Sequence, residues 1–152
     1  MAGHKYNVPM PTFLNVGAIT RTLFQLITPS TRRLWVPEFH ISGRSVSSTD
    51  IPYIVKWVRQ TNAGTPTTSI TPAPIPEGYP PALTTVASGF SAEPTDGGVI
   101  ARGPWLVSPV GTLFDFQMPE GEELDMAVSS RLGLVVICPQ ACDLVASCVI
   151  QE

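Results

Sequence analysis

Charge is what this sequence most lacks. Lys, Arg, Asp and Glu make up 14% of its 152 residues, against roughly a quarter in an ordinary soluble domain. A surface so thinly charged implies that other protein covers part of it. The charges sum to −3, with a pI near 5.3, which argues against nucleic acid as a partner, because phosphate backbones are held by a basic surface. Histidine is equally sparse, with only His4 and His40. Two distant imidazoles are a poor match for the clustered His/Glu metal motif that marks isomerases and hydrolases on a double-stranded β-helix. No GxGxxG or GxxxxGK[ST] loop is present. Long apolar runs are missing too. The longest, LGLVVIC from Leu132 to Cys138, falls far short of the roughly eighteen residues of a membrane span, so no membrane partner is expected. The opening residues MAGHKYNVPMPTFLNVG are interrupted by Asn7, Pro9 and Pro11 and lack the apolar stretch of a secretory leader. A protein made in cytoplasm is the expectation.

What the chain does have is proline, sixteen residues of it, spread as punctuation between short β-prone runs. Runs rich in Val, Ile, Leu, Thr, Phe or Trp recur, each closed by Gly, Pro or Ser. They are TRTLFQLIT (20–28), RRLWVPEFHIS (32–42), YIVKWVRQ (53–60), ALTTVASGFSA (82–92), VIARGPWLVS (99–108), TLFDFQMP (112–119), RLGLVVIC (131–138) and DLVASCVIQ (143–151). Pro37 predicts an edge or a bulge in the second. Asn62-Ala63-Gly64 predicts a turn, and Gly97-Gly98 another. The stretch 65–81, with six prolines, predicts an exposed loop, pinned to the surface by Ile70, Ile75 and Tyr79. Residues 119–130 fit either a helical turn or a wide loop. Eight short strands predict an all-β fold, an eight-stranded antiparallel jelly-roll-like sandwich over residues 20–152. An open Greek-key sandwich is the near competitor.

Residues 1–19 stand apart, too apolar for a solvated tail and too broken for a regular element. They read as an extended N-terminal arm lying on a neighbouring subunit, or equally as a segment folded back along its own domain. On the first reading Tyr6, Val8, Met10, Phe13 and Leu14 are the partner-binding residues, with Ile75 and Tyr79 as a second contact.

Three cysteines fall within eleven residues, Cys138, Cys142 and Cys148. Their C-x3-C-x5-C spacing has no nearby histidine and does not match the paired knuckles of a structural zinc site. Alternation puts Cys148 on one face of its strand with Leu144, Ala146 and Ile150. Inert packing is the reading, with a Cys138–Cys142 disulfide and a metal site as the competitors. Neither a metal nor another cofactor is expected. His40, between Phe39 and Ile41, reads as a solvent-facing or contact residue, since its only candidate partners by sequence are Glu38 and Asp50. The acidic group Glu120, Glu122, Glu123 and Asp125 lacks the ligand alternation of a calcium loop. Phe114 and Phe116 share a face and read as core. Trp57, flanked by Lys56 and Arg59, is the ring assigned to a surface. No catalytic residues emerge, and an enzyme is not expected.

The stretches FQLITPSTRRLWVPEF (24–39), VRQTNAGT (58–65), FSAEPTDGGVI (90–100), SPVGTLFDFQMPEGEEL (108–124) and RLGLVVICPQACDLVASCVIQE (131–152) resemble a family of small tailed-phage proteins that decorate, or cement, the capsid. The resemblance covers most of residues 20–152, and its stretches are fold signatures without a catalytic motif. It implies a structural virion protein on the outer capsid surface: a jelly-roll homotrimer binding the major capsid protein and stabilising contacts between its subunits. A receptor- or carbohydrate-binding module of a phage head or tail fibre is the alternative.

Overall fold

The structure, a computed structural model, describes residues 3–45, 51–108 and 113–152. It is all-β: two antiparallel sheets packed face to face as a sandwich. The described residues form thirteen strands where the sequence predicts eight. Seven of the eight predicted runs give the strands β3 (Thr20–Ile27), β4 (Leu34–Ser45), β5 (Tyr53–Gln60), β8 (Thr85–Ala92), β9 (Asp96–Val107), β12 (Arg131–Ile137) and β13 (Cys142–Gln151), and the eighth gives β10 (Leu113–Gln117). The surplus is β1 (Lys5–Pro9), β2 (Leu14–Val16), β6 (Thr65–Ile70), β7 (Ala73–Pro74) and β11 (Leu124–Met126). These strands are short or polar, so pairing with a neighbour, more than their own pattern, makes them β.

One sheet runs β10-β4-β13-β1-β7, with β11 continuing beside β4 and β2 beside β13. The other runs β6-β8-β3-β12-β5-β9. Pro37 lies inside β4, a strand paired on both sides, and its bulge resolves the conflict. Val149 faces Glu38 while Gln151 faces Trp35, so β4 carries one extra residue there. On the other side β10 ends opposite Glu38 and β11 starts opposite Val36. The missing proline N–H therefore falls in a gap between partners, and the Pro37 carbonyl accepts from the Met118 amide at 2.8 Å.

The core lies between the sheets and follows period-two burial. Val55 and Trp57 of β5, Leu132, Leu134 and Val136 of β12, and Leu144, Cys148 and Ile150 of β13 are fully buried. Trp57 is at its centre, edge-on to Phe24 (5.7 Å between ring centroids) and to Phe39 (5.6 Å). That corrects its surface assignment: Lys56 marks an outward position, Trp57, two residues from Val55, alternates inward, and Arg59 on that same inward side reaches the Asp125 carbonyl of β11 in the other sheet.

The arm expectation is corrected as well. Residues 5–9 form β1, paired with β13 from Lys5↔Gln151 to Pro9↔Ser147 and with β7 on its far side. Tyr6 and Val8 are fully buried in the chain's own core and Met10 is buried beside them; the Tyr6 hydroxyl donates to the Pro80 carbonyl at 3.0 Å. Of residues 1–19 it is the folded-back reading that the described part, 3–19, follows. The 65–81 stretch is not wholly loop, since β6 and β7 lie within it at the sheet margins, and residues 119–130 hold β11 and no helix. Gly97 and Gly98, expected as a turn, belong to the start of β9, Gly98 with φ +76°.

The outer face of the second sheet carries a polar cluster. The Gln25 amide donates to the Gln60 side-chain oxygen (2.7 Å) and to the Asn62 carbonyl (2.8 Å), and Gln60 donates to the Thr22 hydroxyl (3.2 Å). Gln25 and Gln60 are buried, and Gly133 makes the room. A Cβ at that position would meet three atoms of the Gln60 amide at 2.5 Å each.

Candidate interaction surface

A sandwich has two lateral sides, each exposing one edge strand from each sheet. Here the sides differ in chemistry. On one, β6 (TPTTSI) offers Thr, Ser and Pro66, and β7 is two residues long, bracketed by Pro72, Pro74 and Pro76. Prolines and a very short strand are usual guards against edge-to-edge pairing. On the other side lie β9, twelve residues long with the single proline Pro104, and β10. Among the described residues no strand pairs with their outer edges. Along them Val99, Ile100, Leu106 and Leu113 are 57%, 48%, 73% and 66% exposed.

This apolar side is firmly built. Trp105 reaches from β9 across to the other sheet, with its ring 5.0 Å from Phe116, 5.9 Å from Phe114 and 5.3 Å from Phe39. These four rings lock the two edge strands together, so the exposed aliphatic side chains stand on a rigid base. Phe114 and Phe116 pack inward against the core, as the shared face predicts, though both are half-buried. Arg102 meets Glu122 at 3.0 Å, and His40 Nδ1 lies 3.1 Å from an Asp115 carboxylate oxygen. Asp115 is thus the partner of His40. Of the two proposed by sequence, Glu38 occupies the same strand and Asp50 lies outside the described residues.

An open groove of about 830 Å³ lies at the β1 end of the first sheet, lined by His4, Arg32, Trp35, Glu123, Gln151 and Glu152 among others. Trp35 is 38% exposed. The His4 ring stacks on Tyr79 at 4.1 Å, which is how the 65–81 segment is pinned at that point. Ile70 anchors the same segment by burial, whereas Ile75 is exposed.

Of the proposed partner-binding residues, the structure therefore buries Tyr6, Val8 and Met10, half-buries Leu14 and leaves Phe13, Ile75 and Tyr79 exposed. Phe13 lies beneath the Arg44 guanidinium, 4.8 Å from the ring centroid, and is not joined to the β9–β10 side. The residues missed were Val99, Ile100, Leu106 and Leu113. Their runs look like any core strand, and only the pairing order places them at a margin.

The three thiols are free and buried. Burial pushes all three up from the ordinary thiol range, so none is a ready thiolate. Among the described residues no group of three or more His, Cys, Asp or Glu stands together in a form that holds a metal. No protein-family model and no curated protein matches the chain.

Proposed function

We propose that this chain is a structural protein of a virion, a decoration or cement protein that sits on the outer surface of a phage capsid and bridges major capsid subunits. It acts as a homotrimer, without catalysis, and is made in the host cytoplasm. The observation that carries the reading is the unequal treatment of the two sandwich sides: one kept short and broken by proline, the other longer and lined by four exposed aliphatic side chains. Soluble monomers seldom leave such an edge bare, and exposed apolar patches mark sites of protein contact. Low charge over the whole chain and the resemblance of residues 20–152 to decoration proteins support the same conclusion, as does the division into two sheets that a jelly roll requires. A cement protein gains by mass action: binding the assembled lattice and not its separate subunits stabilises the shell. A trimer repeats one modest contact three times and makes the attachment multivalent.

The test is electron cryo-microscopy of particles from the phage that encodes the chain, beside light scattering of the purified protein. Density for the sandwich on the outer head surface in groups of three, and a solution mass three times the 16.3 kDa of one chain, are the expected results. Density confined to the tail rules out the head assignment.

A second reading, a carbohydrate-binding module of a head or tail fibre, is favoured by the groove beside Trp35. An exposed indole with Arg32 and Gln151 offers a stacking face and hydrogen-bond donors to a sugar ring. A glycan array separates the two, since binding lost in Trp35→Ala belongs to this reading alone.

A further inference from the structure

The turn between β12 and β13 holds a feature that the proposed function does not use. Cys138 follows the last residue of β12 in one sheet, and Cys142 opens β13 in the other. Pro139, Gln140 and Ala141 join them. Cys138 and Cys142 are 2% and 1% exposed, and their Sγ atoms stand 3.2 Å apart. That is only about 1.2 Å beyond the length of a disulfide bond. Cys148 is in the same strand as Cys142, six residues on and about 20 Å away at the rise of an extended chain, so it cannot compete for either partner. Both ends of the short connection are held. The Cys138 amide donates to the Ile19 carbonyl at 3.2 Å, and Cys142 is in register with Val16 on β2 and Ser45 on β4. Two thiols fixed at this separation need a small movement of side chains, with no rebuilding of backbone, to meet.

We propose that Cys138 and Cys142 are a dithiol–disulfide couple, a site of reversible modification by small disulfide oxidants of the glutathione type, which clamps the two sheets together at this end. In the first step the Cys142 thiolate attacks one sulfur of oxidised glutathione. The glutathione S–S bond breaks, a mixed disulfide forms on Cys142, and one glutathione leaves as a thiol carrying the proton that Cys142 gave up. Cys138 then loses its proton and attacks the Cys142 sulfur, expelling the second glutathione thiol. The protein's two thiols are oxidised to one disulfide, and one glutathione disulfide is reduced to two thiols. Burial raises both thiols, so the attacking thiolate forms as the turn opens, and the same balance holds with the two cysteines exchanged. Access comes through the turn, where Pro139 is exposed and Gln140 and Ala141 are half-buried. Local opening of so short a connection is far less demanding than unfolding the sandwich.

The experiment incubates the purified full chain with oxidised glutathione and counts thiols after denaturation. The expected count falls from three to one, intact mass drops by two hydrogens, and a peptide map joins Cys138 to Cys142. The five-residue ring predicts a rise in Tm of about 4–8 °C that dithiothreitol reverses. Cys148→Ala still loses two thiols. Cys138→Ala stops at the glutathione adduct on Cys142 and gains no thermal stability. Three thiols retained by the native chain, under conditions that oxidise the chain unfolded in urea, overturn the proposal. A bond that involves Cys148, or a Tm that falls on oxidation, does the same.

Discussion

Replacing Leu106 and Leu113 together by lysine separates association from folding. These side chains are 73% and 66% exposed in the single chain, so most of their apolar surface has nothing to lose on leaving the monomer. Burying a whole leucine side chain is worth about 1.5–3 kcal/mol, and the fraction still available here corresponds to about 1–2 kcal/mol for each residue. Both together remove about 2–4 kcal/mol from a subunit contact that covers them, between thirty and a thousand-fold in its dissociation constant. The ammonium groups add a desolvation cost in the same direction. The isolated chain should change in stability by no more than about 0.5 kcal/mol, as for any exposed substitution. Sedimentation velocity over a range of concentrations reads the first effect and urea unfolding the second. Ser69→Lys, on the guarded β6 margin, is the control and should leave both unchanged. A double variant that associates as well as the parent chain, or one that loses several kcal/mol of monomer stability, refutes the assignment of this edge as the contact.

Three further outcomes follow from the packing. Tyr6→Ala should cost about 3–5 kcal/mol in urea unfolding, the range for deleting a buried aromatic, and removing residues 1–10 should abolish the cooperative transition, because β13 loses its partner β1; a truncated chain with an unchanged midpoint would show that the N-terminal strand is dispensable. Gly133→Ala should cost about 1–3 kcal/mol, since the new methyl group displaces a Gln60 amide held by buried hydrogen bonds; added to a Gln60→Ala background it should cost clearly less, and an equal cost in both backgrounds contradicts the steric origin. Asp143 accepts from Asn15 at 2.8 Å and from Arg44 at 2.9 Å, which hold its carboxyl below the usual range. Its folded-state pKa is depressed, so its contribution is complete above the unfolded value and fades as pH falls through the folded one. The stability difference between the parent chain and Asp143→Asn should therefore shrink as pH falls below the ordinary carboxylate range, and a gap that stays constant through that acid range shows that the pair contributes nothing titratable.

Strands that alternate strongly were legible from sequence. YIVKWVRQ became β5 without shift at either end, and the inward set Leu144, Ala146, Cys148 and Ile150 of β13 is buried as alternation requires. The same rule, applied strictly to β5, puts Trp57 inside; reading the two nearby cations as a sign of a wet strand overrode it. The segment 65–81 was legible in part, for proline did keep it out of the sheet centre, yet Thr65–Ile70 still pairs with β8 because a margin strand needs donors on one side only. β1 was not legible, since KYNVP alternates over only five residues and its partners lie 138 to 146 residues away. Pairing at that separation is decided by the complementary burial of Tyr6 and Val8, a tertiary property. The meeting of Cys138 and Cys142 belongs to the same class, fixed by where two different sheets bring their ends.

The distribution of proline ties these levels together. A composition rich in proline, read along the chain, looks like punctuation; placed on the sandwich, it is denser within the margin strands of one side than of the other. Pro66 lies within the six residues of β6 and Pro74 within the two of β7, whereas the twelve residues of β9 carry Pro104 alone and the five of β10 none. Each proline withholds a backbone donor, so the β6–β7 margin is a poor template for another strand while the β9–β10 margin keeps its donors and adds Leu106 and Leu113. If scarce charge were merely tolerated by this chain, both margins would need guarding, because either could recruit a second copy. Guarding one and stiffening the other with Trp105, Phe114 and Phe116 costs exposed apolar area that only a partner can recover. Under the proposed function the bare margin is where contact is made, and the guarded one keeps that contact from spreading into an open-ended array.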